Sequence, residues 1–416
     1  MPSLNSLKLL TAFMSTQVIT QVIALAVGLI VVRLLPVEQY AVYALFGALV
    51  GAAAVASDLG SSGSYLTLVS RSREQEERLK LSKQTAQLRS GLSLISVPIF
   101  SGIFLWVTPQ IGWQSSATVI FLAIVVLLQA SAVLNRARLA SDNKLGVINR
   151  ADPFAALARL LLLGGALTIV GYSGVLFPIA VWALSAAILA AWLRRNVAPI
   201  ENWPPALPSR AMSNIMLPLL PGHLYFILAG LLPVLSLGSL GATVDIAGFW
   251  ALGRLAAVFA VFTPMLNLIV HPYVSRGHDE RFAQRSSSII GIVVVLVVLL
   301  VASGWLYPKL WLLALGDTYA HLDAYVWMAL LVPGIGLLSA VLYTMAVSSG
   351  ETGRQYLTVP AGVAAQIIVL WMSPIIDIES AFHFAFITAG AQILVQFLLY
   401  LRSLRLIEAR RKGNVF

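Results

Sequence analysis

A dozen runs of about twenty apolar residues, separated by short polar pauses, constrain this chain more than anything else in it. At ~1.5 Å of rise per residue, a helix of that length crosses the roughly 30 Å hydrocarbon core of a bilayer. Inside lipid every backbone N–H and C=O must be satisfied within the protein, so such runs form spanning helices, not loops or open sheets. The candidate spans lie at 7–32, 40–69, 86–107, 116–135, 151–171, 174–193, 212–237, 244–273, 287–307, 323–348, 356–375 and 380–401. The expected fold class is all-α integral membrane, with twelve transmembrane helices.

Composition excludes the soluble alternative, because 59% of the 416 residues are hydrophobic and only 11% charged, more apolar surface than one soluble core buries. The formal charge of +10 would point to nucleic acid in a soluble protein. Here no nucleic-acid partner is expected, and the useful question is which membrane face carries the basic residues. With no cysteine in the sequence, disulfides, iron–sulfur clusters and thiol chemistry are excluded.

The basic residues alternate from break to break. Breaks holding Arg71, Arg73, Arg78, Lys80 and Lys83, then Arg136, Arg138, Lys144 and Arg150, then Arg194, Arg195 and Arg210, then Arg276, Arg281 and Arg285, and finally Arg354, are separated by breaks with only Arg33, Lys309 or none. Lys8 and the basic tail fall on the same side as the rich breaks, so both termini are expected in the cytoplasm. "ALA" at 24–26 resembles a signal-peptidase site, but the apolar run continues past it and only Lys8 precedes it, so the first run reads as an uncleaved span. The cysteine-free chain makes this testable. Single cysteines at Ser72, Asn143 and Ser209 should be protected from impermeant thiol reagents in intact cells, while cysteines at Gln114 and Thr318 should label readily; labelling of the first three from outside would overturn the topology.

The first pause, "VVRLLPVEQYAVYAL" at 31–45, places Arg33, Pro36 and Glu38 between two spans. Pro36 ends one helix and Arg33 reaches for headgroups, which makes the pause a short outer turn. Shifted by 207 residues, "VEQYAVYAL" falls on "VDIAGFWAL" at 244–252, aligning Glu38 with Asp245, Tyr43 with Trp250 and Ala44-Leu45 with Ala251-Leu252. Between the halves lies the Pro-rich "NVAPIENWPPALPSR" at 196–210. The expected organisation is two six-helix bundles, 1–195 and 211–416, around a central cavity, joined by a cytoplasmic linker at 196–210 and related by a parallel repeat.

Intramembrane polar groups are costly and mark substrate paths first. Arg254 falls about ten residues into the eighth span, roughly 15 Å from its outer end, and is the leading candidate for a cavity cation, with Arg159 as its partner. Arg89, near the start of the third span, reads as an interfacial anchor. Thr16, Gln17, Thr20 and Gln21 share one face of the first span, a stripe that fits helix–helix hydrogen bonding as well as sugar binding. His223 lies in a span interrupted by Pro218, Pro221 and Gly222. Among the acids only Asp58 falls inside an apolar run. Buried arginines with almost no carboxylate suit an anionic substrate such as a pyrophosphate better than a cationic drug. For a coupling proton the choices are Asp58, His223 and His383.

"LIVVRLLPVEQYAVYALF" resembles the "aRlLgpeeyGlyal" pattern of bacterial polysaccharide flippases, the O-antigen and exopolysaccharide transporters of the multidrug/oligosaccharidyl-lipid/polysaccharide superfamily, through Arg33, Pro36, Glu38 and Tyr40. It departs from that pattern at Ala41, where the family usually has glycine. "SDLGSSGSYLTLVSR" at 57–71 is similar to the family's end of helix 2. The resemblance implies export of a polyprenyl-pyrophosphate-linked oligosaccharide across a bacterial inner membrane, with polysaccharide polymerase and export machinery as partners. No P-loop, HExxH or GxSxG occurs, so no cofactor and no enzymatic activity are expected. The rival readings are a small-molecule or drug exporter of the same superfamily and a membrane-embedded glycan polymerase or ligase. The latter is disfavoured because every outer break is short.

Overall fold

A computed structural model describes residues 4–411, apart from 73, 112–115, 143, 170–173, 198–209, 263–265, 267–269, 271–273, 275–278 and 350–353. Most of the 196–210 linker, and Pro264, His271 and His278, lie outside the described residues. Everything described is helix or connecting turn, with no strand among these residues. Among the described residues, eleven segments are long and apolar enough to cross a membrane. A further helix, α6 below, stands between the fourth and fifth of them and carries Asp152 and Arg159. This is a multi-pass all-α membrane protein.

The opening pause is a tight turn. Helix α1 (Leu4–Leu34) stops before Pro36, and α2 (Val37–Asp58) starts after it with Glu38 in the first turn, where its carboxylate complements the exposed N–H groups. Arg33, Pro36 and Glu38 are exposed and Tyr40 is buried. The expected span at 40–69 is not one helix. It breaks at Leu59 (φ +40°) and Gly60 (φ +83°), and α3 (Ser61–Arg71) follows. Glycine suits this break twice over: its φ is left-handed, and a Cβ would stand 3.3 Å from Leu219 Cδ1 and 3.4 Å from His223 Cε1.

The charged run at 71–83 reads as a solvated, partly helical loop, yet from Gln75 it forms the first turns of α4 (Gln75–Val107), with Glu76 and Glu77 at the favourable end of the dipole. After α5 (Ser116–Ser141), α6 (Leu145–Ile169) begins six residues before the expected 151. Asp152 is thereby moved from the end of an expected span to two turns inside a helix. Helix α7 (Leu176–Arg195) closes on Arg194 and Arg195. The interruption expected at Pro218 and Pro221 is present: α8 (Arg210–Met216) gives way to a 3₁₀ turn at Leu217–Leu219 before α9 (Leu220–Ser239). Then come α10 (Thr243–Leu255), α11 (Ala257–Ala260), α12 (Asp279–Leu306), α13 (Pro308–Leu315), a 3₁₀ stretch at Asp317–Tyr325, α14 (Val326–Ser348), α15 (Thr358–Met372) and α16 (Ile378–Arg411). The break at 307–322 therefore contains a short helix of its own.

Contacts divide the chain into two helical units, Ser15–Ala247 and Gly248–Phe416 with Met1–Met14. In the first, α2 is the core element: Tyr40 through Phe46 are at most 1% exposed, and α4, α5 and α9 pack around it. In the second, α14 packs on α12 and α16, and α15 on α16. Along α12, Ile292, Val295 and Leu299 are 70, 58 and 64% exposed, a stripe that only lipid can cover at low cost. The segments 37–45 and 244–252 lie at the starts of α2 and α10, with Ala44, Leu45, Ala251 and Leu252 all fully buried.

Helix α16 is started by a reciprocal cap. Ser380 N–H donates to Asp377 Oδ1 at 2.8 Å, and Asp377 N–H donates to Ser380 Oγ at 3.0 Å. The Ser380 hydroxyl and N–H hold the Asp377 carboxyl below its ordinary value, aided by His383. A carboxyl lowered on folding stabilises the protein above the unfolded value, near ~4, and that contribution is lost as pH falls through the folded value. Asp377→Ala should therefore lower thermal stability in detergent by roughly 1 kcal/mol at pH 7, with the difference from wild type vanishing as the pH is taken below about 4. A difference that persisted in acid would contradict the cap.

Candidate functional site

Arg159 is held by two aromatic side chains from different helices. Its Nη2 donates to the Tyr43 hydroxyl at 2.7 Å, and its guanidinium lies 4.4 Å from the centre of the Trp182 ring. Tyr43 comes from α2 and is 1% exposed; Trp182 comes from α7 and also touches Tyr43 and Phe46, with ring centroids 5.9 and 5.5 Å apart. A cation over an indole face is attracted by the ring quadrupole, and more strongly where water is excluded. The half-buried guanidinium is thus oriented without leaving its remaining N–H groups wholly enclosed.

Two turns earlier on the same face of α6, a second polar group faces a different helix. Asp152 Oδ1 accepts from Arg136 Nη2 of α5 at 2.5 Å, and its Oδ2 accepts from Gln17 Nε2 of α1 at 3.5 Å. Seven residues at ~1.5 Å each separate Asp152 and Arg159 by about 10 Å along the helix. Helix α6 therefore carries a polar lane, acid at one end and guanidinium at the other, which α1 joins through Gln17. Of the other α1 residues, Thr20 Oγ1 donates to the Thr16 carbonyl at 2.8 Å, spending its proton on its own helix. Gln21 is half-buried one turn beyond Gln17.

Asp152, which the sequence places at the end of an expected span, lies two turns inside α6. The expectation that Arg89 anchors at the interface is corrected. Arg89 is 2% exposed and forms an ion pair through Nη1 with Asp58, with a further bond to the Ser62 hydroxyl at 2.6 Å. Asp58 also accepts from Ser61 Oγ at 3.0 Å, Ser62 N–H at 3.1 Å and Ser62 Oγ at 2.6 Å. It thus ends α2, starts α3 and ties both to α4. Arg89 Nε and Nη2 are buried with no hydrogen-bond partner among the described residues.

His223 hydrogen-bonds through Nδ1 with the carbonyl of Leu219, in the 3₁₀ turn before its helix, at 2.8 Å, beside the Gly60 break. Its described contacts are with the helix break and not with the α6 lane. Arg254 lies in the other unit, half-buried on α10, with its guanidinium 5.9 Å from the Trp250 ring. Tyr43 and Trp250, aligned by the shift of 207 residues, each lie against an arginine, Arg159 and Arg254. Trp182, Asp152 and Arg136 were missed in the sequence; the seven-residue spacing of Asp152 and Arg159 was the signal available for Asp152, and Trp182 had none.

The fold has solved counterparts. A lipid II flippase, MurJ, in an inward closed conformation superposes with a TM-score of 0.66 over 97% of this chain and 93% of that one, at 11% identity. An outward-facing multidrug resistance MATE family transporter of the MOP superfamily gives 0.60 over 97% and 96%, at 14% identity. A MOP superfamily transporter from Pyrococcus furiosus gives 0.56 over 97% and 95%, at 15% identity. This chain shares the fold of these solved transporters. No protein-family model and no curated protein sequence matches it. Among the described residues, eleven of the twelve expected spans are long and apolar enough to cross a membrane, the exception being the one at α6.

Proposed function

We propose that the protein is a flippase that moves a polyprenyl-pyrophosphate-linked oligosaccharide from the cytoplasmic to the periplasmic leaflet of a bacterial inner membrane, for surface polysaccharide biosynthesis. The observation that carries this reading is Arg159, a guanidinium oriented inside the membrane by Tyr43 and Trp182. A delocalised cation held in this way presents a planar fork to phosphate oxygens. Arg254 on Trp250 is the corresponding group in the second half. Gln17 and Gln21 supply amide groups of the kind that hydrogen-bond sugar hydroxyls. The fold, shared with a lipid II flippase, and the motif at Arg33, Pro36, Glu38 and Tyr40 point the same way.

Transport proceeds by alternating access, with the two six-helix halves, 1–195 and 211–416, moving about the 196–210 linker. Asp58 and His223 both stand at the break between α2 and α3. Polymerase and export machinery take up the product, and both termini remain in the cytoplasm. In a strain whose only copy carries Arg254→Ala, lipid-linked oligosaccharide should accumulate on the cytoplasmic leaflet. Normal surface glycan in that strain, with the variant at normal membrane levels, would remove Arg254 from the function.

A further inference from the structure

A second polar site lies in the Ser15–Ala247 unit, at the end carrying the arginine-rich breaks. The ends of α3, α4 and α5 surround an open cavity of about 350 Å³, lined among others by Tyr65, Arg78, Ser82, Arg138, Ser141 and Asp142. That volume falls at the small end of ligand sites and suits a headgroup, not a glycan. Arg78 Nη2 donates to the Ser141 carbonyl at 3.2 Å, which fixes the guanidinium and leaves its Nε buried with no partner among the described residues. Ser82 is 2% exposed, and its Oγ is likewise buried and unpartnered. Arg138, 7% exposed, brings a second guanidinium. The Tyr65 and Ser141 hydroxyls lie 3.3 Å apart, and Ser141 Oγ donates to the Arg138 carbonyl at 2.7 Å.

Buried donors without acceptors are rare in folded proteins and call for a ligand or ordered water. Asp142 is one carboxylate facing two guanidiniums, so the lining is net cationic and a metal or organic cation is excluded. The unpartnered donors, Arg78 Nε and Ser82 Oγ, come from α4, and Arg138 of α5 lines the same cavity. A planar carboxylate offers two oxygens in one plane, whereas a tetrahedral phosphate offers acceptors in several directions. We propose that this cavity binds a phosphate group, supplied either by an anionic lipid headgroup of the adjoining leaflet or by soluble phosphate. The site shares no residue with the Arg159 lane and stands whether or not the protein moves glycans. Occupancy would clamp α3, α4 and α5 together beside the Leu59–Gly60 break.

The test is thermal unfolding of the purified full-length protein in a neutral detergent. Phosphatidylglycerol is titrated against phosphatidylcholine, and inorganic phosphate against chloride at matched ionic strength. A saturable rise in melting temperature with one of the two probes is expected. Phosphatidylglycerol alone would identify a lipid site, and a rise with inorganic phosphate a site for the soluble ion. Arg78→Gln should weaken the apparent affinity by about tenfold or more, as expected for a charged hydrogen bond, and Ser82→Ala by a few-fold. Both side chains are replaced by uncharged groups no larger than the originals, so the fold is retained. Absence of a rise with either probe, or a rise unchanged in both variants, would overturn the proposal.

Discussion

Replacing Arg159 with alanine is expected to leave a protein that inserts normally and transports lipid-linked glycan one to two orders of magnitude less efficiently, since hydrogen bonds to a charged group contribute about 1.5–3 kcal/mol each. Arg159→Lys keeps the charge but loses the planar stack on Trp182 and the fork that matches a pyrophosphate, so it should fall between alanine and wild type. Tyr43→Phe removes only the 2.7 Å hydrogen bond and keeps the ring in the core, and its defect should be the mildest. This ranking separates charge from orientation. If Arg159 served only packing, lysine and alanine would be equally defective and both would show reduced membrane levels.

The largest expected loss of stability is at Asp58 and Arg89. Asp58→Asn keeps an acceptor for the α3 cap but leaves the Arg89 guanidinium, 2% exposed, without its counter-charge. Breaking a buried pair from one side costs about 3–5 kcal/mol, and the 23% side-chain exposure of Asp58 places this one near the lower end. The double variant Asp58→Asn, Arg89→Met removes the stranded charge and should recover most of the loss, as paired apolar replacements of buried ion pairs do. It also bears on coupling. If the folded double variant still transports with unaltered proton dependence, Asp58 is a structural pin; if transport becomes proton-independent or is lost, Asp58 carries the coupling proton.

The spans could be read from the sequence because length and hydropathy are imposed by the bilayer and not by neighbours. The turn at Pro36 was equally legible, since a proline followed by an acid is a local signal. What hydropathy does not encode is where a charged stretch continues a helix. Residues 145–152 and 75–85 are polar enough to resemble loops, yet they are helical turns of α6 and α4, and the misreading hid both Asp152 and the burial of Arg89. The break at Leu59–Gly60 lies within continuous apolar sequence and is signalled only by "SDLGSS", a cap that periodicity overlooks. Arg159 was visible as a costly charge in a span. Its partners Tyr43 and Trp182 come from helices 116 and 23 residues away in the chain, and no local pattern joins them.

Reconstitution tests the account most directly. The purified protein is placed in proteoliposomes with a fluorescently tagged polyprenyl-pyrophosphate oligosaccharide, and the fraction of label reachable by an external quencher is followed with time. The account predicts movement between leaflets that is faster with wild type than in empty vesicles and sharply slowed by Arg159→Ala. It also predicts that an uncharged polyprenyl oligosaccharide lacking the pyrophosphate is moved poorly. Equal movement of the charged and uncharged lipids, or wild-type rates with Arg159→Ala, would contradict it.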